Sequence, residues 1–209
     1  MKFSKFATAI AAVSLSSASM AGVILSENFN SVAGLAAAGW ATVNASPNPS
    51  QTWFQGNTAV FTAQSGPADS YVATNYLGGS PSISNWLITP TLALSGGAAL
   101  NFSVRNAGDG YLDIVEVYLS TNGASTNIAD FTTLLGSYSS STDLGWIAQS
   151  YNVNLIGTGR IGFRYVVANT DTQGNYIGID SVAVVPEPAS LALVGLALAG
   201  MVAARRRKA

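Results

Sequence analysis

The chain has 209 residues, of which 48% are hydrophobic and only 9% are charged, and its formal net charge is −1. It contains no cysteine and no histidine, which excludes thiol nucleophiles, imidazole bases and zinc sites built on these residue types. Residues 22–185 nevertheless form an acidic central part, with nine acidic residues, three arginines and a formal charge of −6. An acidic domain without a basic patch disfavours nucleic acid and anionic membrane surfaces as partners.

The first residues have the pattern of a secretory signal peptide. The stretch "MKFSKFATAIAAVSLSSASMAG" begins with two lysines, continues with an apolar run and ends in small residues. Ser19 and Ala21 satisfy the small-x-small requirement of a signal peptidase, so we predict cleavage between Ala21 and Gly22. A short buried helix, the alternative, would need neither the leading charges nor the trailing small residues. The sequence thus predicts an export signal over residues 1–21.

The central part, taken as one domain over residues 22–184, alternates between apolar and polar residues with a period of two. In "RIGFRYVV", Ile161, Phe163, Tyr165 and Val167 share one face, and "ALNFSVR" and "WIAQSYNVNL" repeat the pattern. Earlier candidate strands are "GVILSENF", "TWFQ", "TAVFTAQ", "SYVATNY" and "ISNWLITP". Such alternation is typical of half-buried antiparallel strands. Within this domain, only "VAGLAAAGW" is a plausible helix.

Turn residues separate these segments. "GDG" follows "LNFSVRNA", "TNGAS" follows "YLDIVEVYLS", and "NTDTQGN" precedes "YIGIDSVAV". Glycine and asparagine accept the positive φ angles that tight turns require. Many short strands at this spacing predict an all-β fold, an antiparallel β-sandwich of the jelly-roll type.

The C-terminal segment, residues 185–209, combines "VPEP", an apolar run and an arginine-rich end. The apolar run over residues 189–204 would span about 24 Å as a helix, against a hydrocarbon core of about 30 Å. The arginines follow the run directly, so they would stay on the cytoplasmic side while the domain lies outside. A permanent single-span anchor and a temporary anchor cleaved during processing both fit this composition. Pro186 and Pro188 favour the temporary anchor, because they keep the preceding backbone extended.

These three parts, in this order, resemble the PEP-CTERM sorting signal of exopolysaccharide-producing Gram-negative bacteria. The resemblance covers the last twenty-five residues and implies that Pro186, Glu187 and Pro188 are the processing signal for an exosortase, a membrane-embedded processing enzyme. It further implies export, transient anchoring in the inner membrane and cleavage near Pro186 to Pro188. The product would be released or attached at the cell envelope or the extracellular (biofilm) matrix.

The central part resembles the choice-of-anchor J domains, jelly rolls related to MAM-type domains. The similar pieces are "ENFNS", "GW" at residues 39–40, "NWLITPTLALSGG", "YLDIVEVYLSTNG" and "YIGIDSVAV". In related jelly rolls a structural calcium joins an acid near the first strand to one in the last strand. The resemblance therefore implies a calcium site at Glu27 and Asp180. The alternatives for Asp180, which lies in an apolar strand, are an ion pair with Arg160 or Arg164 and exposure to solvent.

Two further functions remain open. Jelly-roll modules bind sugars on exposed aromatic side chains, and Trp40 and Trp53, with Phe54, Tyr71, Tyr76 and Trp86, are candidates for such a platform. The alternative is that these side chains fill the core. Nine acids could also supply the carboxylate pair of a glycoside-active enzyme, although surface charge explains them equally well. We therefore predict a non-catalytic exported surface or matrix protein, associated with exopolysaccharide, with a carbohydrate-binding module as the alternative.

Overall fold

The computed structural model describes residues 22–187, which form twelve β-strands and three short 3-10 turns. The predicted signal peptide and the predicted helix over residues 189–204 lie outside the described residues. No helix in the described part is long and apolar enough to cross a membrane. The strands are β1 (Leu25–Glu27), β2 (Ala41–Asn44), β3 (Asn48–Pro49), β4 (Phe54–Gln55), β5 (Val72–Asn75), β6 (Gly79–Ser80), β7 (Ile83–Ile88), β8 (Leu92–Asn106), β9 (Asp109–Ser120), β10 (Thr133–Thr142), β11 (Ile147–Val167) and β12 (Tyr176–Pro186). The 3-10 turns are Val32–Gly34, Tyr76–Gly78 and Ile128–Asp130.

The strands form two antiparallel sheets and a small β3–β6 pair. One sheet has the order β4-β5-β12-β8-β11, with β1 beside the second part of β12. The other has the order β10-β9-β11-β7-β2. The all-β sandwich predicted from the alternating pattern is confirmed.

Strand β11 belongs to both sheets. Its residues 147–159 pair with β8, and its residues 160–166 pair with β9 on the second sheet. The change occurs at Gly159, where an added Cβ would lie 2.2 Å from the carbonyl oxygen of Ser120. Because no side chain fits there, a glycine lets the strand pass from one sheet to the other at this point.

The core lies between the sheets and consists of the apolar faces that the period-two pattern predicts. Phe163 of β11 and Phe102 of β8 meet edge to face, with ring centroids 5.2 Å apart. Ile161 and Tyr165 are fully buried on the same face of β11. At about 25 cal/mol per Å² of buried apolar area, such faces are the main source of folding free energy.

Two local predictions differ from the structure. The segment "VAGLAAAGW" forms only the 3-10 turn Val32–Gly34, followed by hydrogen-bonded turns up to Gly39. The segment "TAVFTAQ", residues 58–64, is a loop rather than a strand. Phe61 in this loop stacks on Tyr71 at 5.0 Å, and Tyr71 donates its hydroxyl proton to the carbonyl of Phe61 or of Asn57. Tertiary contacts thus replace the ladder hydrogen bonds of a strand.

Candidate functional site

The predicted processing signal continues directly from the last strand of the sandwich. Pro186 is the final residue of β12 and lies opposite Ala98 of β8. The backbone N–H of Glu187 donates to the carbonyl of Gly97 at 3.0 Å. The backbone is extended at this point, as the prolines predict, but it is paired with the sheet. Pro188 lies outside the described residues.

The two tryptophans predicted to bind carbohydrate are buried. Trp40 is 4% exposed and Trp53 is 5% exposed, and Trp40 packs edge to face on Phe29 at 5.5 Å. Tyr71 and Trp86 are buried as well. These side chains fill the core, because large aromatic surfaces gain most by leaving water. Both tryptophans line a small cleft of about 170 Å³, but at 4% and 5% exposure most of each ring lies in the core.

Asp180 is fully buried in β12, and three backbone N–H groups donate hydrogen bonds to its carboxylate. Its Oδ2 accepts from Gln64 at 2.9 Å and Ser65 at 3.1 Å, and its Oδ1 accepts from Ser181 at 2.6 Å. Burial raises the pKa of its carboxyl group, against the opposing effect of these three donors. Asp180 is therefore neither a solvent-exposed acid nor the ion-pair partner of an arginine. It fastens the loop over residues 62–70 to the last strand.

Glu27, the other predicted calcium ligand, also accepts a hydrogen bond from a backbone N–H group. Its Oε1 accepts from the N–H of Phe29 at 2.8 Å, and Phe29 has a positive φ of 50°. Glu27 lies on β1 opposite Val182, two residues beyond Asp180 along β12. The two carboxylates thus occupy neighbouring strands. Residues 22–187 contain no group of three or more acidic, histidine or cysteine side chains that could hold a metal ion.

A different part of the surface combines open clefts with exposed aromatic rings. Three clefts, of about 380, 230 and 320 Å³, share Tyr76 as a lining residue, and we call them together the Tyr76 cleft. Tyr76 is 48% exposed, and Tyr111, which lines the second of the three, is 46% exposed. The other lining residues are Asn48, Ser50, Gln51, Phe54, Asn57, Val60, Asn75, Leu77, Gly79, Ser80, Thr170, Asp171, Gly174, Asn175 and Tyr176.

The backbone beneath Tyr76 is held by a short chain of hydrogen bonds. Tyr76 opens the 3-10 turn after β5, and the side chain of Asn75 caps this turn by accepting from the N–H of Leu77 at 2.9 Å. The N–H of Tyr76 donates to the carbonyl of Asn175 at 2.9 Å. The N–H of Asn175 in turn donates to the buried carboxylate of Asp113 at 2.9 Å. The ring of Tyr76 is thus exposed on a fixed backbone.

Asp113 lies under this cleft as a buried acid. It accepts from the hydroxyl of Tyr165 at 2.7 Å, while its Oδ2 is buried and has no partner among the described residues. Burial raises the pKa of its carboxyl group. Its hydrogen bond from Asn175 connects the turn before β12 with β9, and Asn175 also donates to Asp109 through its side-chain amide. Asp113 therefore orients the floor of the cleft.

The three arginines of residues 22–187 bind groups that do not line the Tyr76 cleft. Arg105 forms a bidentate ion pair with Asp143, with a closest approach of 2.7 Å. Arg164 pairs with Glu116 at 3.2 Å. Arg160 donates to backbone carbonyls, including that of Thr89 at 2.6 Å. The charged side chain that lines the Tyr76 cleft is Asp171, so the cleft has an acidic character.

Most residues of this cleft have no distinctive signal in the sequence. By sequence, Tyr76 is only one of six candidate aromatics, and "NTDTQGN" is only a turn. The useful signal was the concentration of asparagine, threonine and aspartate in that turn, just before "YIGID". Its position beside Tyr76 depends on the pairing of β5 with β12, in which Asn75 lies opposite Tyr176.

Comparisons with known proteins agree with this architecture. Residues 22–184 match the Cleaved Adhesin Domain family model, and residues 184–208 match the PEP-CTERM protein-sorting motif. A search of the curated proteins finds no match. The choice-of-anchor J resemblance stays a prediction, because the matching model is that of the cleaved adhesins.

Solved structures support the same fold. The K1 cleaved adhesin domain of Lys-gingipain from Porphyromonas gingivalis W83 is 24% identical, with 78% of this chain and 98% of that chain covered and a TM-score of 0.62. The K2 domain of Lys-gingipain is 23% identical, with coverage of 77% and 96% and a TM-score of 0.60. The K3 domain from P. gingivalis w83 is 20% identical, with coverage of 79% and 98% and a TM-score of 0.58. The chain therefore belongs to the Cleaved Adhesin Domain family and carries a PEP-CTERM protein-sorting motif at its C-terminal end.

Proposed function

We propose that this protein is an exported, non-catalytic adhesin domain of a Gram-negative cell surface or extracellular matrix. Its sorting motif is recognised by an exosortase, which cleaves near Pro186 to Pro188 after transient anchoring in the inner membrane by residues 189–204. The observation that carries this proposal is the succession of a cleaved-adhesin domain and a PEP-CTERM motif without a spacer. The N-terminal export signal agrees with this destination.

The intact mass of the protein recovered from the cell envelope and from the medium tests this proposal. We expect a chain that begins at Gly22 and ends near Pro186 to Pro188, with or without an added group. Replacing Glu187 with Ala should leave the uncleaved chain in the membrane fraction. A wild-type species that ends at Ala209 in that fraction would show a permanent anchor and overturn the sorting proposal.

The second candidate function is carbohydrate binding, with exopolysaccharide as the natural ligand. The observation that favours it is the Tyr76 cleft, which combines exposed rings with amide and carboxylate side chains. Sugar recognition needs this combination, because a pyranose presents apolar C–H faces as well as hydroxyl groups. Such binding would keep the processed domain in the matrix after its anchor is removed.

We also propose a structural calcium ion at the Glu27 and Asp180 corner. Two carboxylates on neighbouring strands suit the oxygen preference of Ca²⁺, although hydrogen bonds from backbone N–H groups already engage Oε1 of Glu27 and both oxygens of Asp180. Backbone carbonyls and water would have to complete the coordination. A melting temperature that rises in 1 mM CaCl2 relative to EDTA, and that loses this response in Glu27→Gln, would support the site. An equal melting temperature in both solutions would reject the calcium proposal.

A further inference from the structure

We propose that the Tyr76 cleft binds an uncharged oligosaccharide, with Tyr76 and Tyr111 as stacking surfaces and with Asp171 and Asn175 as hydroxyl partners. This inference rests on the proposed carbohydrate-binding function and deepens it, because it names the site and the ligand class. Three properties of the residues at the Tyr76 cleft support it: their exposure, their fixed backbone and their charge.

The exposure of the aromatic side chains separates this region from the rest of the domain. Tyr76 and Tyr111 are each nearly half exposed. Three of the four tryptophans, by contrast, are buried in the core, and the fourth, Trp146, is half-buried. Both tyrosines line the same 230 Å³ cleft, together with Asp171 and Asn175. Two amphipathic rings beside hydrogen-bonding groups form a surface that matches a sugar ring, which has both apolar faces and polar edges.

The cleft is held in place before any ligand binds. The N–H of Tyr76 is bonded to the carbonyl of Asn175, and Asn175 is bonded to the buried Asp113. Gly174 next to it has a φ of +77°, and an added Cβ would lie 2.6 Å from Val167. The turn therefore packs tightly against β11. A preorganised site loses less conformational entropy on binding, which is important for ligands such as sugars that gain little energy per contact.

The charges decide between neutral and acidic glycans. Asp171 is exposed in the cleft, and its neighbour Asn175 donates to the carboxylate of Asp109. The three arginines of residues 22–187 are engaged elsewhere, with Asp143, Glu116 and backbone carbonyls. A polyuronate would meet like charge here without a cationic partner, which is unfavourable. An uncharged glycan avoids this repulsion, and the carboxylate of Asp171 can accept its hydroxyl protons.

Affinity electrophoresis of the mature exported protein tests this inference. The gels contain one of four neutral polysaccharides (a mixed-linkage β-glucan, a galactan, a xylan or a mannan) or polygalacturonate. We expect at least one neutral polysaccharide to retard the protein and polygalacturonate to leave its mobility unchanged. Tyr76→Ala should weaken the retardation by about tenfold or more, since loss of an aromatic stacking contact is worth about 1.4 kcal/mol. Tyr76→Phe, which keeps the ring, should bind within about threefold of the wild type.

A matched control is Ile156→Ala, which removes an exposed apolar side chain of β11 that does not line the cleft. It should bind like the wild type, and equal melting temperatures of all variants would show that they fold. Retardation that survives Tyr76→Ala and Tyr111→Ala would place the sugar site elsewhere, while carbohydrate binding itself would stand. Retardation by polygalacturonate alone would overturn the assignment of a neutral ligand. No retardation in any gel would reject both the inference and the carbohydrate function, whereas the mass measurement above would still decide the sorting proposal.

Discussion

The buried carboxylate of Asp180 offers the most demanding test of the structure. It connects the last strand with a loop more than one hundred residues earlier, through N–H donors of Gln64 and Ser65. Two substitutions probe it in different ways. Asp180→Asn keeps the shape but has one acceptor oxygen, and Asp180→Ala removes the acceptor altogether.

The hydrogen-bond geometry sets the expected magnitudes. With its oxygen at the Oδ2 position, the asparagine side chain of the Asp180→Asn variant would still accept from Gln64 and Ser65, but its amide would face the N–H of Ser181. Loss of one hydrogen bond to a charged group costs about 1.5–3 kcal/mol. The neutral amide recovers part of the desolvation energy, because burial raises the pKa of the carboxyl group that it replaces. We therefore expect Asp180→Asn to lower the free energy of unfolding by about 1–2 kcal/mol at pH 7.

Asp180→Ala leaves three partly buried N–H groups without an acceptor, and an unpaired N–H that is fully buried costs about 1–3 kcal/mol. Because the loop over residues 62–70 can open and admit water, we expect a loss of about 3–5 kcal/mol rather than the full sum. Urea denaturation followed by tryptophan fluorescence measures both values. The matched control is Ser181→Ala, which removes the exposed hydrogen bond from the Ser181 hydroxyl to the side chain of Gln64 but keeps the backbone N–H donors of Asp180, and which should cost less than about 1 kcal/mol. If Asp180→Ala cost no more than this control, the three donors would not hold the loop.

Three further predictions concern the sorting segment, the buried acid and the turn before β12. A four-residue Gly-Ser spacer between Val185 and Pro186 should accelerate processing in a pulse-chase experiment. The reason is that Pro186 and Glu187 are paired with β8 and must otherwise be released from it first. An unchanged processing rate would mean that the enzyme accepts the paired strand. Burial raises the pKa of Asp113, so the folded state keeps its proton to higher pH than the unfolded chain, and the contribution of Asp113 to stability falls as pH rises above about 3.8. Asp113→Asn should reduce this fall in urea denaturation between pH 3.5 and 7, and a slope equal to that of the wild type would contradict the assignment. Gly174→Ala should lower the free energy of unfolding by about 1–3 kcal/mol, because φ is +77° and the new Cβ would clash with Val167. Wild-type stability in thermal or urea unfolding would show that the turn relaxes freely.

The sequence by itself was sufficient to predict several local properties of this protein, although not the conformations of "VAGLAAAGW" and "TAVFTAQ". Alternation in "RIGFRYVV" identifies the buried face of β11, because successive side chains of a strand point to opposite faces whatever the strand pairs with. The PEP-CTERM resemblance is similarly local, since it depends on a short ordered motif, and the family comparison identifies the same segment.

The tertiary structure decided the properties that depend on distant residues. The glycines of "GDG" have positive φ angles, as the turn prediction requires, but they connect β8 and β9, which lie in different sheets and do not form a hairpin. The sequence favoured Trp40 over Tyr76 as a sugar-binding residue, but Trp40 is buried while Tyr76 is exposed. Their environments are set by strands far away in the chain, and one-dimensional patterns carry no information about which strands meet. Only the fold could place Tyr76 beside Asn175 and Asp180 beside Gln64.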